Sequence, residues 1–327
     1  MIYIESSSLD PYYNLALEEF VFEKLDHSRS YFMLWQNQNT IVVGKYQNTA
    51  EEINQAAVDA YHTKVARRLS GGGAVYHDNG NLNFTIITDQ NNLEDFNFKV
   101  FVEPVVNALS RIGVSAQFNG RNDITIDGMK FSGNSQYIKH GRVLHHGCIM
   151  LDSNIGIVSE MLKPSAAKFE SKAAKSVKSR VTTINAHAPH PLSMTEFKEL
   201  LKNEISLTEP LEPLSITQEQ DEFINSLREN KYSTWEWNYG RSPAYNVRKE
   251  RKFPSGLVSV FMQVEDGCIE NIRFYGDFFG NEDIEELERS LLNVSLDDNL
   301  INVLEQIDPG RFINGLSADD LYGLLRY

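Results

Sequence analysis

Cysteine is almost missing from this chain, with only Cys148 and Cys268 among 327 residues. Two thiols so far apart give neither a disulfide framework nor a zinc-ligand spacing. Each is expected as a small buried hydrophobe. No apolar run is long enough to span a bilayer. The opening MIYIESSSLDPYYN has neither the basic flank nor the apolar stretch of a signal peptide, so a cytoplasmic protein without a membrane role is expected. There is no internal repeat and no low-complexity tract. Positive charge is scarce: 31 Lys and Arg stand against 45 Asp and Glu, a formal net charge of −14. That balance disfavours non-specific binding to nucleic acid.

What is present suits one large domain and a small one: 41% hydrophobic residues for a core and 23% charged residues for a surface. Asp10 can cap a helix through YYNLALEEFVFEKL, with Pro11 at its first position. YFMLWQ, TIVVGKY, HTKVARRL, AVYHD and LNFTIIT read as strands, the last two joined at Asp78-Asn79-Gly80. VFVEPVVNALSRIG reads as a helix starting near Pro104. Residues 123–151 read as three antiparallel strands, with turns at Asp127-Gly128 and Lys139-His140-Gly141. Helical patterns follow in MTEFKELLKNEI and TQEQDEFINSLREN. The segment STWEWNYGRSPAYN is a junction too aromatic to be a disordered linker. Beyond it come a hairpin through Asp266-Gly267 and the helices NEDIEELERSLLNV and SADDLYGLLRY, the latter with a capping box at Ser317 and Asp320. The scarce basic residues cluster at 163–180, where Lys163, Lys168, Lys172, Lys175, Lys178 and Arg180 face one acid, Glu170. Such a run is either a solvated face or a local site for phosphate or an acidic partner.

One stretch costs backbone entropy that must be recovered: residues 67–83, RRLSGGGAVYHDNGNLN. It is not a P-loop, since no lysine follows the glycines, and not a dinucleotide fingerprint, since a strand rather than a helix comes next. Glycines without Cβ let the backbone approach a ligand closely and leave its N–H groups unshielded. Arg67 and Arg68 point to opposite faces of a strand, so one of them is expected at the site. Tyr76, His77, Asp78, Asn81 and Asn83 supply hydrogen-bonding groups downstream.

Residues 120–136 read GRNDITIDGMKFSGNSQ and residues 145–147 read HHG. Together with RRLSGGGAVYHD they resemble the lipoate–protein ligases of the bacterial LplA type. The likeness covers most of the chain, including KSVKSRV and the tail. It implies an α+β fold: a large mixed-sheet catalytic domain of the biotin/lipoate ligase type at 1–246 and a small α+β accessory domain at 247–327. It also implies a two-step reaction. Lipoate and ATP with Mg2+ give lipoyl-adenylate, and the lipoyl group then passes to a lysine of a lipoyl domain. The implied acceptors are 2-oxoacid dehydrogenase E2 subunits or the glycine-cleavage H protein, and the implied ligase is a monomer.

The family's nucleotide contacts match Arg68, Gly73, Ala74, Val75 and Tyr76, and its essential lysine matches Lys130. By the same resemblance Ser70, Gly71, Gly72, His77, His146 and Gly147 line the lipoate slot. Asn81, Asn83, Arg121, Asn122, Asp123, Ser132, Gly133, Asn134, Lys172 and Arg180 support it, and no metal ligand is assigned. The chemistry needs a fixed cation, because carboxylate attack on an α-phosphate brings two anions together. Lys130, two residues past the Asp127-Gly128 turn, is placed by a rigid strand. His77 and His146 are read as hydrogen-bonded structural residues rather than bases. Two alternatives stand: an octanoyl or lipoyl transferase working through a cysteine thioester without ATP, and a non-catalytic lipoate-binding homologue.

Overall fold

The computed structural model describes residues 1–89, 98–119, 122–162, 180–239, 247–265, 267–297 and 299–326. Arg121, Lys172, Asp266, the rest of the 163–179 run and residues 240–246 of the junction lie outside the described residues.

The chain opens with β1 (Ile2–Glu5) and α1 (Pro11–Lys24). Pro11 takes the first helical position, where its missing N–H costs nothing. Asp10 holds the cap position but makes no cap hydrogen bond. Its carboxylate goes to Lys64 at 2.8 Å and Arg228 at 2.6 Å instead. Leu15, Leu17, Phe20, Val21 and Phe22 are all buried, so α1 is a core helix with no wet apolar stripe.

Strands β2 (Tyr31–Trp35) and β3 (Thr40–Val43) lead to short helices α2 (Thr49–Glu52) and α3 (Gln55–Ala60). Then come β4 (Lys64–Arg67), β5 (Val75–His77) and β6 (Asn81–Asp89). β5 and β6 meet at Asp78-Asn79-Gly80 but enter different sheets, β5 pairing with β3 and β6 with β2. Helix α4 (Lys99–Arg111) carries Pro104 inside it, a correction to the expected start near that residue. The buried face formed by Phe101, Val102, Val105 and Leu109 extends the helix N-terminally. The carbonyl deprived of a donor belongs to Val100, which is 51% exposed, so water can serve it.

β7 (Ala116–Asn119) precedes the meander β8 (Asp123–Ile126), β9 (Met129–Lys139) and β10 (Arg142–Met150). The three antiparallel strands expected here are present. Each turn has two left-handed residues, Asp127 and Gly128 at φ 51° and 76°, and His140 and Gly141 at φ 51° and 73°. That backbone matches the strand twist of tight hairpins.

Next are α5 (Ile155–Met161), α6 (Met194–Ser206), β11 (Glu212–Pro213), α7 (Gln218–Leu227) and α8 (Trp235–Asn238). The junction is packed only in part where it is described: Trp237 Nε1 donates to the Arg67 carbonyl at 2.9 Å, whereas Trp235 is 64% exposed. The tail holds β12 (Val247–Phe253), β13 (Gly256–Glu265), β14 (Cys268–Gly276), α9 (Ile284–Ser290), α10 (Leu300–Ile307) and α11 (Ala318–Arg326). The expected capping box precedes α11, with Asp320 N–H donating to Ser317 Oγ and Ser317 N–H to Asp320 Oδ2. β12 and α10 were not anticipated from the sequence.

Eight strands make a mixed sheet in the order β11-β1-β2-β6-β10-β9-β8-β7. Alternate residues of β2 feed its two faces: Phe32 and Leu34 join the core under α4 and α6, whereas Met33 and Trp35 join the core around α1. β4-β3-β5 form a second sheet with a small core at Ile41, Val43, Val65 and Tyr76. β12-β13-β14 form a third, packed on α9–α11 around Val260, Phe274, Leu287 and Leu304. The chain is α+β, as expected.

Candidate active site

The glycine run closes the passage from β4 to β5, and its residues have three different uses. Gly71 carries the backbone against the tail: a Cβ there would meet the Phe278 carbonyl oxygen at 2.2 Å. Gly71 is therefore packed under Phe278 and does not line the cavity, which corrects its assignment to the slot. Gly72 has φ +86°, donates its N–H to the Phe278 carbonyl at 3.3 Å, and presses its own carbonyl on Gly44 of the β3 side. A Cβ on Gly44 would lie 2.0 Å from that oxygen. Gly73 alone faces open space, with no atom within 4 Å of an added Cβ.

The two arginines divide as the strand alternation predicts. Arg67 is a buried structural residue whose guanidinium serves Gly44, Lys45, Gln47, Trp237, Thr49 and Asn238. Arg68 lines the cavity and staples the loop. Its Nη2 donates to the Gly71 and Gly73 carbonyls at 2.6 and 2.8 Å, Nη1 to Val42 at 3.2 Å, and Nε to Ser70 Oγ at 3.1 Å. Of the five N–H groups of an arginine, these bonds use four. Burial pushes its pKa down to about 10, so it stays charged at neutrality.

The loop faces a cavity of about 320 Å³. Leu15, Trp35 and Val42 give it an apolar part; Lys130, Asp123 and Asp277 give it charge. Gly72, Gly73, Ala74, Val75, His77 and Asn83 line it from the β5–β6 side. Asn122, Gly133, Asn134, His146 and Gly147 line it from the meander. Lys130 is fixed by its backbone on both sides, donating its N–H to Arg180 at 2.8 Å and accepting from Thr182 at 2.9 Å. Its ammonium lies 2.7 Å from Asp123 Oδ1. Gly133 makes room for it, since a Cβ there would meet Lys130 Nζ at 2.8 Å. Asn122 and Asn134 hold each other, each side-chain amide donating to the other's carbonyl, at 2.8 and 3.1 Å.

Several expected site residues sit elsewhere. The Tyr76 ring points to the opposite face of β5, into the small core, and its hydroxyl donates to Asn39 Oδ1 at 3.0 Å. Ser70, Asn81 and Ser132 are buried behind the cavity wall rather than on it. Arg180 contributes its carbonyl to Lys130, and its side chain is not on the wall. Both cysteines are half-buried rather than buried. Cys148 is uncovered because its partner across β9 is Gly133, and it lines the cavity.

Other residues hold the site and escaped the sequence reading. His146 Nε2 lies 2.6 Å from Ser70 Oγ, and its Nδ1 lies 2.9 Å from Glu18 Oε1. Thr85 donates to the same Glu18 oxygen at 2.7 Å and accepts from Trp35 Nε1 at 2.9 Å. Ser135 Oγ donates to the Gly71 carbonyl at 2.8 Å. This network pins the loop to α1 and β10 and occupies both nitrogens of His146, consistent with a structural histidine. A signal for Glu18 existed: it shares a helix face with Leu15 and Phe22, both buried.

Two known families together cover most of the chain. The lipoyl protein ligase A/B catalytic domain family matches residues 10–206. The bacterial lipoate protein ligase C-terminus family matches residues 242–325. Lipoate–protein ligase 1 of Staphylococcus aureus is 41% identical over 327 residues, which span 99% of this chain and 100% of that one. This chain is a member of the lipoate–protein ligase family. P. falciparum LipL1, solved in complex with lipoate, superposes with a TM-score of 0.82 at 22% identity, covering 99% of both chains, and so shares the fold. A structure from the lipoylation system of Thermoplasma acidophilum, a bipartite lipoate protein ligase and its E2 lipoyl domain, gives a TM-score of 0.65 at 26% identity. That likeness covers 75% of this chain and 98% of the other.

Proposed function

We propose that this ligase activates lipoate with MgATP and passes the lipoyl group to a lysine of a lipoyl domain. In the first step a lipoate carboxylate oxygen bonds to the α-phosphorus, the α–β bridging P–O bond breaks, and pyrophosphate leaves. In the second the acceptor amine attacks the acyl carbonyl and AMP leaves, the amine losing a proton. The observation that carries this reading is Lys130: a strand-held cation in a cavity walled by the glycine loop and Arg68, with an apolar part at Leu15, Trp35 and Val42. Its ammonium would exchange Asp123 for the lipoate carboxyl and the α-phosphate, easing the approach of two anions. The backbone at Gly73, Ala74 and Val75 would take the nucleotide, and the slot would run past Gly72, His146 and Gly147. Mg2+ would arrive on the ATP phosphates, which leaves few positions for protein ligands. Asp123 and Asn122 line the same cavity as Lys130 and would be oxygen donors available to the ion. Among the described residues no group of three His, Cys, Asp or Glu could hold a metal alone.

The proposed acceptors are E2 lipoyl domains or the glycine-cleavage H protein. The proposed division remains 1–246 and 247–327, acting as a cytoplasmic monomer. Incubation with lipoate, MgATP and candidate lipoyl domains, read by intact mass, tests the reaction. Lys130→Met should still bind lipoate but release no pyrophosphate; normal release from it sinks the mechanism. One observation favours a second reading: Cys148 reaches the cavity, as a thioester nucleophile would have to. A transferase of that kind would work without ATP and lose all transfer in Cys148→Ala.

A further inference from the structure

His77 is 2% exposed, and its Nε2 has no partner among the described residues. It lines the cavity nonetheless. Which group that nitrogen presents is decided by a chain of hydrogen bonds starting in α1. Asn14 Nδ2 donates to the carbonyls of Ser8 and Gln36 at 3.0 and 2.8 Å, and its Oδ1 accepts from Ser6 Oγ at 2.6 Å, so its orientation is fixed. The same Nδ2 faces Asn37 Oδ1 at 3.0 Å, its two hydrogens shared among the three acceptors. Asn37 therefore turns its Nδ2 to His77 Nδ1, 3.2 Å away. Nδ1 has to accept, which leaves the proton on Nε2. Burial first, and then the charges of Arg68 and His146, hold the pKa down to about 3. The ring is thus a neutral N–H donor throughout the physiological range, and its nitrogens cannot serve as a base. Asn134 has the opposite polarity: its Nδ2 is taken by the Asn122 carbonyl, so its unpartnered Oδ1 accepts.

We propose that His77 Nε2–H is a substrate-positioning donor, set by Asn14 and Asn37, that hydrogen-bonds an unprotonated oxygen of the bound acyl-adenylate. This rests on the ligase reading above. The oxygen belongs to either the acyl group or the α-phosphate, and both chemistries ask for a donor that carries no titrating charge. Leaving a buried N–H unpaired costs free energy, which a ligand oxygen recovers. Asn134 Oδ1 is suited to a hydroxyl or amino group of the same ligand.

The test is calorimetric binding of a non-hydrolysable sulfamoyl lipoyl-adenylate, with lipoate alone and AMP alone as further arms. His77→Leu should weaken the mimic by about tenfold or more, whereas His77→Gln, which keeps an N–H, should stay within about threefold of wild type. A loss with lipoate alone assigns the acyl oxygen; a loss confined to AMP and the mimic assigns the phosphate. Asn37→Asp replaces the donor to Nδ1 by an acceptor and moves the neutral ring's proton to Nδ1. Its affinity should then fall as pH rises, while the wild-type affinity shows no such trend from His77. The titratable and charged groups facing the ring are Arg68 and His146, which both proteins share. Nitrogen-15 histidine spectra of the wild type should show the Nε2–H tautomer even if a variant fails to fold. An Nδ1–H tautomer, or a folded His77→Leu that binds the mimic like wild type, overturns the proposal. A wild-type protein that binds neither lipoate nor the mimic overturns the ligase reading itself.

Discussion

The Lys130 ammonium has space because residue 133, on the same strand, has no side chain. Gly133→Ala would put a Cβ 2.8 Å from Nζ, and the flexible end of the lysine would yield rather than the fold. We expect stability within about 1 kcal/mol of wild type but pyrophosphate release down by about a hundredfold, as displacement by an ångström is enough for that. Gly73→Ala is the complementary probe. Its Cβ enters open space, so the melting temperature should hold while KM for ATP or lipoate rises. Buried histidines set the acid response. His77 titrates at about 3 in the folded chain against about 6.5 unfolded, and His145, buried among Phe84, Phe98 and Phe101, is also driven well down by burial. The unfolded chain binds more protons between those values, so stability rises with pH across that window and is lost as pH falls through it. Each such histidine adds a slope of about 1.4 kcal/mol per pH unit. Urea unfolding of His77→Gln from pH 4 to pH 6 should show the slope reduced by about that much. Lys130 and Arg68 were legible because local motifs flank them. Glu18 carried only the helix-face signal beside Leu15 and Phe22, and Asn14 and Asn37 were not legible, since Gln36 and His77, which give them their role, lie far along the chain from them.

At the scale of elements, turn chemistry carried most of the legible information. Asp127-Gly128 and His140-Gly141 fix the meander on their own. Gly128 has φ 76° and open space around an added Cβ, so Gly128→Ala isolates the backbone cost. It should lower stability by about 1–2 kcal/mol in chemical denaturation, and pyrophosphate release with it if the register near Lys130 loosens. Other elements were hidden for physical reasons. β12 reads VRKERKF, an edge strand whose charges mask the alternation that Val247 and Phe253 begin and end. The parallel pairs β1–β2 and β1–β11 join segments far apart in sequence, so no turn announces them. Pro104 misled because tertiary burial of α4 outweighed one lost hydrogen bond.

Taken whole, the catalytic sheets and the tail share a seam at the glycine loop. Tyr46 stacks on Phe278 with centroids 4.9 Å apart, and its carbonyl accepts from Gly276 at 2.9 Å. Lys45 reaches Asp283 at 3.5 Å. Phe279 lies over Gly72 and against Phe98. Phe279→Ala should speed hydrogen exchange at the Gly72 amide, measured by mass spectrometry or NMR, without altering exchange in the β8–β10 meander. An unchanged Gly72 amide would mean the seam is held elsewhere. No helix among the described residues is long and apolar enough to cross a membrane.

The N–H of Gly72 has a further consequence. One peptide group serves the tail through Phe278 and stands on the wall of the cavity, so the two demands are thermodynamically linked. A ligand that claims this N–H must detach it from Phe278, and its measured affinity is then the intrinsic affinity less the free energy of that detachment. Linkage is reciprocal: whatever loosens the tail tightens such a ligand by the same factor, and saturation with the ligand lowers the tail's own melting point. The unfolding temperature of residues far from the cavity thereby becomes a gauge of its occupancy.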